Sequence, residues 1–474
     1  MTERIVVVGH GMASARLVEE LVTRVSAGST AEPLQVTVLG EERHPAYNRV
    51  LLSAVLEGTH RPGALTLRAP EWYAAHGVDL RLGTRVVDLH RDRPAGQRAV
   101  ELADRTEVPY DRLVLATGAI PTLPPIRGLV RMDGTLDPRV HAFRGLDDCA
   151  RLLDVVPSAR RAVVVGGGLL GLQVARALAI RGLATEIVEG GEHLLRSQVD
   201  AKAGAVLRRS LARLGTQVYT GARAVRLTDE GLRLDNGVTL ETDLVVLTAG
   251  GRPNVNLARR AGLTVRRGIV VGDDLASVDD PHVYAVGDCV EHDSLTHGFV
   301  TPAWEQASVV AARLVGDDAV YDGHRLVARL RATDLEVAVL GDPLHEPGEV
   351  VEVSNPITGT HRRLVVRDGR IVAGTLVGDL SRIGVITQHF DRGTVLGARE
   401  AGALLLPDVA PRPAEVALPD EAEVCACAGV SAGRIRACNS LEEVRETTRA
   451  TTGCGGCTGT VTALLGAVVP AGAP

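Results

Sequence analysis

The chain of 474 residues is poor in aromatic side chains and has no long apolar run. Phe, Trp and Tyr together make up 2% of it, which leaves few rings on which nucleic-acid bases could stack. The net charge of −6 and the lack of any Lys/Arg block with interleaved aromatics also argue against a nucleic-acid surface. No apolar stretch approaches the ~18 residues of a membrane span, and the first residues enter a strand without a signal peptide. We therefore expect a cytoplasmic protein with no nucleic-acid or membrane partner.

Neighbouring cysteines are absent from residues 1–406. Cys149 and Cys289 stand alone there, and neither C-x-x-C nor C-x-x-x-x-C occurs. A disulphide-reductase mechanism therefore has no cysteine pair in this part of the chain. Both residues are most simply interpreted as small, buried apolar side chains.

Two close cysteine pairs are present near the C-terminus instead. They are Cys425 and Cys427 in C-A-C, and Cys454 and Cys457 in C-G-G-C. Clustered cysteines in an intracellular protein are more often metal ligands than disulfides, and the glycines leave room for backbone N–H groups near sulfur. We predict that these four thiolates bind a [2Fe–2S] cluster. A zinc ribbon, which usually repeats C-x-x-C, and a redox-active disulfide are the alternatives.

A glycine-rich turn opens the chain. Strand residues precede Gly9 and Gly11, a helical stretch follows, and a second strand ends shortly before Glu41. This order predicts a βαβ unit whose turn holds a pyrophosphate at a helix N-terminus. Ser14 occupies the third position of the fingerprint, where glycine is usual. Glu41, with Glu42 as the alternative, is the expected acceptor for the ribose hydroxyls.

The same pattern occurs a second time with a complete G-x-G-x-x-G, formed by Gly166, Gly168 and Gly171. Glu189 ends the next predicted strand. A carboxylate there accepts from a free 2′-hydroxyl and repels a 2′-phosphate, so we predict NADH in preference to NADPH. Arg196 lies just downstream and keeps NADPH open as an alternative.

Two further segments also repeat each other. Asp111–Pro121 aligns without gaps on Asp243–Pro253, and each reads as a strand followed by a glycine turn, at Thr117-Gly118 and at Gly250. The segment V-Y-A-V-G-D, which ends at Asp288, follows the second copy. We therefore predict two related nucleotide-binding domains, the first interrupted by the second.

The length and the changes of texture along the chain predict an α/β protein of several domains. Short alternating strands after Tyr321 indicate a small α+β domain, in which Asp368-Gly369 predicts a hairpin turn. A segment rich in Pro and acidic residues reads as a linker. The predicted domains are 1–120 with 250–320, 121–249, 321–406, the linker 407–423, and a small helical cysteine module at 424–474.

These motifs resemble known families. Pro45–Ser53 (P-A-Y-N-R-V-L-L-S), G-G-G-L-L-G-L, G-G-R-P-N and Y-A-V-G-D-C are similar to the NADH- and FAD-binding half of assimilatory nitrite reductase large subunits. They are equally similar to the electron-transfer subunit of assimilatory nitrate reductases. The tail C-A-C-A-G-V with T-T-G-C-G-G-C resembles the bacterioferritin-associated-ferredoxin-like [2Fe–2S] module that both contain. The likeness extends over essentially the whole chain.

The resemblance implies roles for particular residues. Gly9, Thr117-Gly118 and Asp288 would bind FAD, with Asp288 on the ribityl chain and Arg49 beside the flavin. The helix that starts at Val300 would direct its N-terminus at the flavin ring. The second glycine loop and Gly250 would bind NADH, and the four paired cysteines would ligate the cluster.

The function implied is electron transfer from NADH through FAD and the cluster to a separate terminal reductase, a molybdenum-dependent assimilatory nitrate reductase. The sequence ends soon after Cys457, so we expect no sirohaem domain and no nitrite reduction on this chain. Because cofactors carry the chemistry, no catalytic acid–base residues are expected. The alternatives are a rubredoxin or ferredoxin reductase, the electron-input subunit of a nitrite reductase, and a non-enzymatic redox or iron sensor.

Overall fold

The computed structural model describes residues 2–28, 33–323, 326–397, 399–406, 418–425, 428–452 and 457–466. Its first sheet contains strands that precede the second nucleotide-binding domain in sequence and strands that follow it. This arrangement agrees with a first domain that is interrupted by the second. Residues such as Ile5 and Val7 on its central strand are fully buried. They share one apolar core with Leu17 and Val310, which lie on helices, and with Val100, which lies on a small antiparallel sheet. The spatial order of strands is Ala276–Ser277, Asp280–Ala285, Arg112–Leu115, Glu3–Val8, Leu34–Leu39 and Asp79–Arg81.

Two long helices, Met12–Ser26 and Val300–Leu314, lie against each other beside this sheet. They come from opposite ends of the interrupted domain, so their contact holds its two halves together. The domain also contains shorter helices, a small antiparallel sheet and a two-stranded pair. These are Leu52–Glu57, Pro70–Ala75 and Asn256–Arg260, strands Val86–His90, Ala99–Leu102 and Glu107–Pro109, and strands Ile269–Val270 and Val290–Glu291.

The second domain is built around a five-stranded parallel sheet. Its strands follow the order Gln217–Thr220, Ala184–Glu189, Arg161–Val165, Leu244–Leu247 and Val140–Ala142. Its helices are Leu146–Val155, Leu169–Ile180 and Ala201–Arg213, and a small antiparallel sheet comprises Ala224–Thr228, Gly231–Leu234 and Thr239–Leu240.

The ends of the two repeated segments, each after its glycine turn, meet where the domains join. Strand Ala119–Pro121 pairs antiparallel with Gly251–Pro253, and Ile120 lies opposite Arg252. The flanking bonds match as well, since Thr122 N–H donates to the Gly250 carbonyl at 3.0 Å and Asn254 N–H donates to the Gly118 carbonyl at 2.8 Å. The two repeated segments are therefore related by a local two-fold axis.

A five-stranded antiparallel sheet forms the third unit, with Asp368-Gly369 as its central hairpin. Both residues have positive φ, 51° and 72°, which is the conformation of a type I′ turn, and Arg367 pairs with Arg370. The predicted hairpin is confirmed. The strand order is Val327–Ala332, Leu335–Leu340, Arg370–Val377, Thr360–Arg367 and Glu349–Asn355, with helices Ile383–Arg392 and Glu400–Leu405 against it.

The C-terminal module has a small apolar core of its own. Its elements are strands Glu423–Cys425 and Val430–Ser431 and helices Ala432–Arg436, Leu441–Thr448 and Thr458–Gly466. Of the predicted linker, residues 407–417 lie outside the described residues. The carbonyl groups of Asp420 and Ala422 accept hydrogen bonds from Gly433 and Ala432, so this end of the segment contacts the module. The domain boundaries stay predictions. Among the described helices, none has the length and apolar character needed to cross a membrane.

Candidate functional site

The first glycine loop joins strand Glu3–Val8 to helix Met12–Ser26. Gly9 has a φ of 105°, and a Cβ at this position would lie 2.2 Å from the Ala116 carbonyl oxygen, so only glycine fits. Gly11 is the N-cap and offers no side chain to the first turn. The N–H groups of that turn are therefore available to an anion.

Two buried polar groups beside this loop have no hydrogen-bond partner among the described residues. They are the Ser14 hydroxyl and both ring nitrogens of His10. Buried polar groups are normally satisfied, so these atoms point to a polar ligand. A dinucleotide pyrophosphate fits this set of donors, and burial lowers the pKa of His10 to about 4.

The two acidic candidates after strand Leu34–Leu39 have different surroundings. Glu41 is exposed, and its carboxylate lies 3.6 Å from the Arg85 guanidinium. Glu42 accepts from the Tyr47 hydroxyl at 2.8 Å and pairs with Arg49. Glu42 is thus engaged within the protein, whereas Glu41 stays available at the carboxyl end of the strand, where ribose hydroxyls would bind.

Arg49 and Asp288 both contact a second arginine, Arg144. The Arg144 guanidinium donates to the Asp288 carboxylate at 2.7 Å and to the Ala119 carbonyl at 3.0 Å. Arg49 in turn donates to the Arg144 carbonyl at 3.4 Å. Burial raises the pKa of Asp288, and the positive charges of Arg144 and Arg49 act against that rise. Arg144 belongs to no motif, so sequence reasoning missed it.

The exit turns bring the predicted FAD residues to one edge of the first sheet. Thr117 follows strand Arg112–Leu115, and its hydroxyl donates to the Asn254 carbonyl at 2.6 Å. Gly287, just before Asp288, donates its N–H to the Gln306 side chain at 2.8 Å. Helix Val300–Leu314 begins where it was predicted and has no side-chain cap. Carboxyl ends of parallel strands are the usual place for a dinucleotide in this type of sheet.

The second glycine loop has the same construction with a tighter packing. A Cβ at Gly166 would lie 2.6 Å from the Thr248 carbonyl oxygen, and one at Gly171 would lie 1.9 Å from the Gly166 carbonyl oxygen. Gly168 is the N-cap of helix Leu169–Ile180 and makes no side-chain cap, and no atom of the described residues lies within 4 Å of a Cβ added to it. Gly171 therefore allows the helix to pack closely against the strand, and Gly168 leaves open space for a ligand.

Glu189 lies beside this loop and accepts hydrogen bonds from two of its neighbouring glycines. Its carboxylate accepts from the Gly167 N–H at 2.7 Å and the Gly191 N–H at 2.6 Å, and the Arg196 guanidinium lies 3.7 Å away. Gly250, predicted to bind NADH, has a φ of 89° at the exit turn of the same sheet. The carboxylate is thus positioned beside the loop that would carry the NADH pyrophosphate.

Two of the four predicted cluster ligands lie among the described residues. Cys425 and Cys457 are both buried in the core of the C-terminal module, although 32 positions separate them in sequence. Cys427 and Cys454 lie outside the described residues. The third cysteine of the module, Cys438, is also buried, and its Sγ contacts the Arg434 carbonyl at 3.5 Å and the Thr447 hydroxyl at 3.4 Å. Two of the predicted ligands thus share one small apolar core, an environment that fits an iron–sulfur centre.

The isolated cysteines of the nucleotide-binding part are both buried, and each thiol lies near a backbone carbonyl. The Cys149 thiol donates to Leu52 at 3.7 Å, and the Cys289 thiol donates to Leu115 at 3.4 Å. Burial raises the pKa of both thiols, to about 11 for Cys149. They are inert packing residues.

Comparisons with known proteins agree with this geometry. Residues 3–310 match the pyridine nucleotide-disulphide oxidoreductase family, and residues 423–467 match the BFD-like [2Fe-2S] binding domain. A Bacillus subtilis nitrite reductase [NAD(P)H] is 33% identical over 96% of this chain and 56% of its own length. The assimilatory nitrate reductase electron transfer subunit of the same organism is 29% identical over 98% and 59%.

A solved ferredoxin reductase from Rhodopseudomonas palustris has 25% identity and a TM-score of 0.73, over 83% of this chain and 96% of its own. The chain spans between 48% and 59% of the length of the first four curated relatives. The fold class is thereby confirmed, and FAD, NAD(P)H and a [2Fe–2S] cluster are the cofactors that the two family matches support. The chain belongs to the pyridine nucleotide-disulphide oxidoreductase family and carries a BFD-like [2Fe–2S] domain at its C-terminal end.

Proposed function

We propose that this chain is a cytoplasmic NADH-dependent oxidoreductase that passes electrons through FAD and a [2Fe–2S] cluster to a terminal reductase. The observation that carries the proposal is the position of the cysteine module. It lies on the first nucleotide-binding domain, where Asn48 contacts Thr452, next to the Arg49 that would border the flavin. Residues 3–310 offer no cysteine pair as an alternative electron acceptor.

Each nucleotide loop has a distinct role in this proposal. The loop at Gly166–Gly171 would bind NADH with Glu189 on the adenosine ribose. The loop at Gly9–Ser14 would bind the FAD pyrophosphate, with Glu41 on its ribose and Asp288 on the ribityl chain. When bound, FAD accepts a hydride from NADH, and the cluster carries electrons away one at a time. The protein contributes orientation and charge, so no acid–base pair is needed.

We further propose an assimilatory nitrate reductase as the terminal partner, with a molybdenum centre. An electron transfer subunit of such an enzyme is a relative over nearly the whole chain. The nitrite reductase relatives favour a nitrite-reducing centre as the alternative acceptor. The ferredoxin reductase neighbour favours a small electron carrier. A non-enzymatic redox or iron sensor is a further alternative, which titration with NADH tests.

Anaerobic titration of the purified protein with NADH tests the cofactor relay. Flavin and iron–sulfur absorption should bleach together, with iron and sulfide bound in place of zinc. Bound zinc without iron would contradict the relay, and bound FAD that NADH does not reduce would favour the sensor.

The partner is tested by reconstitution. The chain with NADH and the nitrate reductase catalytic subunit should reduce nitrate, while the chain with rubredoxin or ferredoxin should transfer electrons far more slowly. A faster rate with either small carrier would replace nitrate reductase as the partner. Nitrite reduction in the presence of a sirohaem-containing subunit would favour the nitrite reductase alternative.

A further inference from the structure

The C-terminal module touches the first nucleotide-binding domain through a short segment, residues 445–452. Asn48 donates its side-chain N–H to the Thr452 carbonyl. The Arg449 guanidinium pairs with the Glu19 carboxylate. The Arg445 guanidinium lies 3.5 Å from the His60 ring. We call the three first-domain residues Glu19, Asn48 and His60 the docking patch.

Glu19 is held by two arginines from different domains. It lies on helix Met12–Ser26, is only 8% exposed, and accepts from Arg68 Nε at 2.8 Å as well as from Arg449. An unpaired buried carboxylate is strongly destabilising. Because Arg68 belongs to the first domain, Glu19 keeps one partner when the module leaves. The contact is therefore built to open without leaving a buried charge unpaired.

Asn48 connects the two cofactor regions directly. It is fully buried, and its side-chain oxygen accepts from the Val50 N–H at 3.0 Å. That bond caps the turn containing Arg49. Thr452, its partner across the interface, lies two positions before Cys454 in sequence. One amide side chain thus joins the loop beside the proposed flavin site to the segment leading into the second cysteine pair.

We infer that the docking patch positions the cysteine module for electron transfer from flavin to cluster, and that release from the patch exposes the module to the terminal reductase. The inference rests on the proposed function. Each NADH supplies two electrons, which reach the cluster in two one-electron steps, with one proton released to water and the partner reoxidising the cluster between steps. Glu19, Asn48 and Arg449 are positioning residues in this scheme.

Arg449 offers a pair of variants that separate docking from module folding. It has a φ of 63°, a conformation that glycine adopts without strain. Arg449→Gly therefore removes the guanidinium without a backbone penalty, and Arg449→Glu reverses its charge against Glu19. Arg434→Glu is the matched control, because Arg434 is exposed on another helix of the same module.

The test uses the full holoprotein, with iron content confirmed for every variant. Stopped-flow absorption separates flavin reduction by NADH from cluster reduction by flavin. We expect both Arg449 variants to keep the first rate and to lose at least about tenfold in the second, with the larger loss for Arg449→Glu because like charges then meet. Small-angle X-ray scattering should show a larger radius of gyration for both, and Arg434→Glu should match wild type.

A charge swap completes the design. Glu19→Lys combined with Arg449→Glu should restore part of the cluster-reduction rate and the compact radius. Wild-type rates and radii in both single variants would overturn the inference while leaving the proposed function intact. If NADH fails to reduce the wild-type cluster, the proposed function fails instead, and the scattering comparison still decides whether the patch holds the module.

Discussion

The carboxylate of Glu189 accepts a hydrogen bond from the backbone N–H of Gly167, 2.7 Å away, across the mouth of the second glycine loop. Its other oxygen accepts from Gly191, so the side chain is oriented before any nucleotide binds. In the proposed function, an oriented carboxylate at the end of this strand would both receive ribose hydroxyls and repel a 2′-phosphate. We therefore expect this contact to connect the structure of the loop with the choice of nucleotide.

Replacement of this carboxylate should change nucleotide preference. We expect Glu189→Ala to reduce the ratio of kcat/KM for NADH over NADPH by at least about tenfold, since one negative charge near the 2′ position is lost. Arg196, 3.7 Å from the carboxylate, would then be available to a 2′-phosphate. Glu186→Ala on the same strand is the control and should keep the wild-type ratio. An unchanged ratio in Glu189→Ala would place the ribose elsewhere.

Two glycines of the second loop should respond differently to alanine. Gly171→Ala places a Cβ 1.9 Å from the Gly166 carbonyl oxygen, so we expect a loss of about 1–3 kcal/mol in unfolding free energy. Gly168→Ala meets no atom within 4 Å and should unfold like wild type, but its methyl group would occupy ligand space and raise KM for NADH. Thermal unfolding and NADH kinetics measure the two effects. Equal stability of the two variants would contradict the packing argument.

The cysteines of the C-terminal module should separate into ligands and a packing residue. Cys457→Ser should abolish iron–sulfur absorption and electron delivery to one-electron protein acceptors, because a hydroxyl is a poor substitute for a thiolate ligand. Cys438→Ser should retain the cluster, since its thiol already contacts Arg434 and Thr447. Iron analysis of both proteins is the measurement. Equal iron content would remove Cys457 from the ligand set.

A buried histidine between the second and third domains should make stability depend on pH. His361 is fully buried, and its Nε2 lies 3.9 Å from Asp200. Burial lowers its pKa from the usual 6.5, with Asp200 and Glu352 acting against this and Arg363 and Lys202 adding to it. Below about pH 6.5, His361 therefore binds a proton more readily in the unfolded chain than in the native state. The stabilisation is complete above pH 6.5 and falls as the pH drops toward the folded pKa, by at most about 1.4 kcal/mol per pH unit.

Substitution of this histidine tests the sign. His361→Gln should lose this part of the pH dependence, so its unfolding midpoint should fall less than the wild-type midpoint between about pH 7.5 and about pH 5.5. His345→Gln, an exposed residue of the third domain, is the control. A steeper fall in His361→Gln than in wild type would show that the native histidine is charged.

Much of this arrangement could be predicted from short stretches of sequence. The glycine loops at Gly9 and Gly166 and the hairpin at Asp368-Gly369 depend on backbone conformations that few residues adopt. The gapless repeat of Asp111–Pro121 at Asp243–Pro253 indicated two related domains. It did not indicate that Ile120 and Arg252 pair with each other, because strand pairing between domains leaves no local pattern.

Residue types and their spacing along the chain determined by themselves that two nucleotide loops and a cysteine module would form. Only the tertiary structure decided which of these parts touch. Arg144 meets Asp288 across 144 positions, and Glu19 meets Arg449 across 430. Such contacts depend on how whole domains pack, whereas a turn or a helix start depends on a few neighbouring backbone dihedral angles.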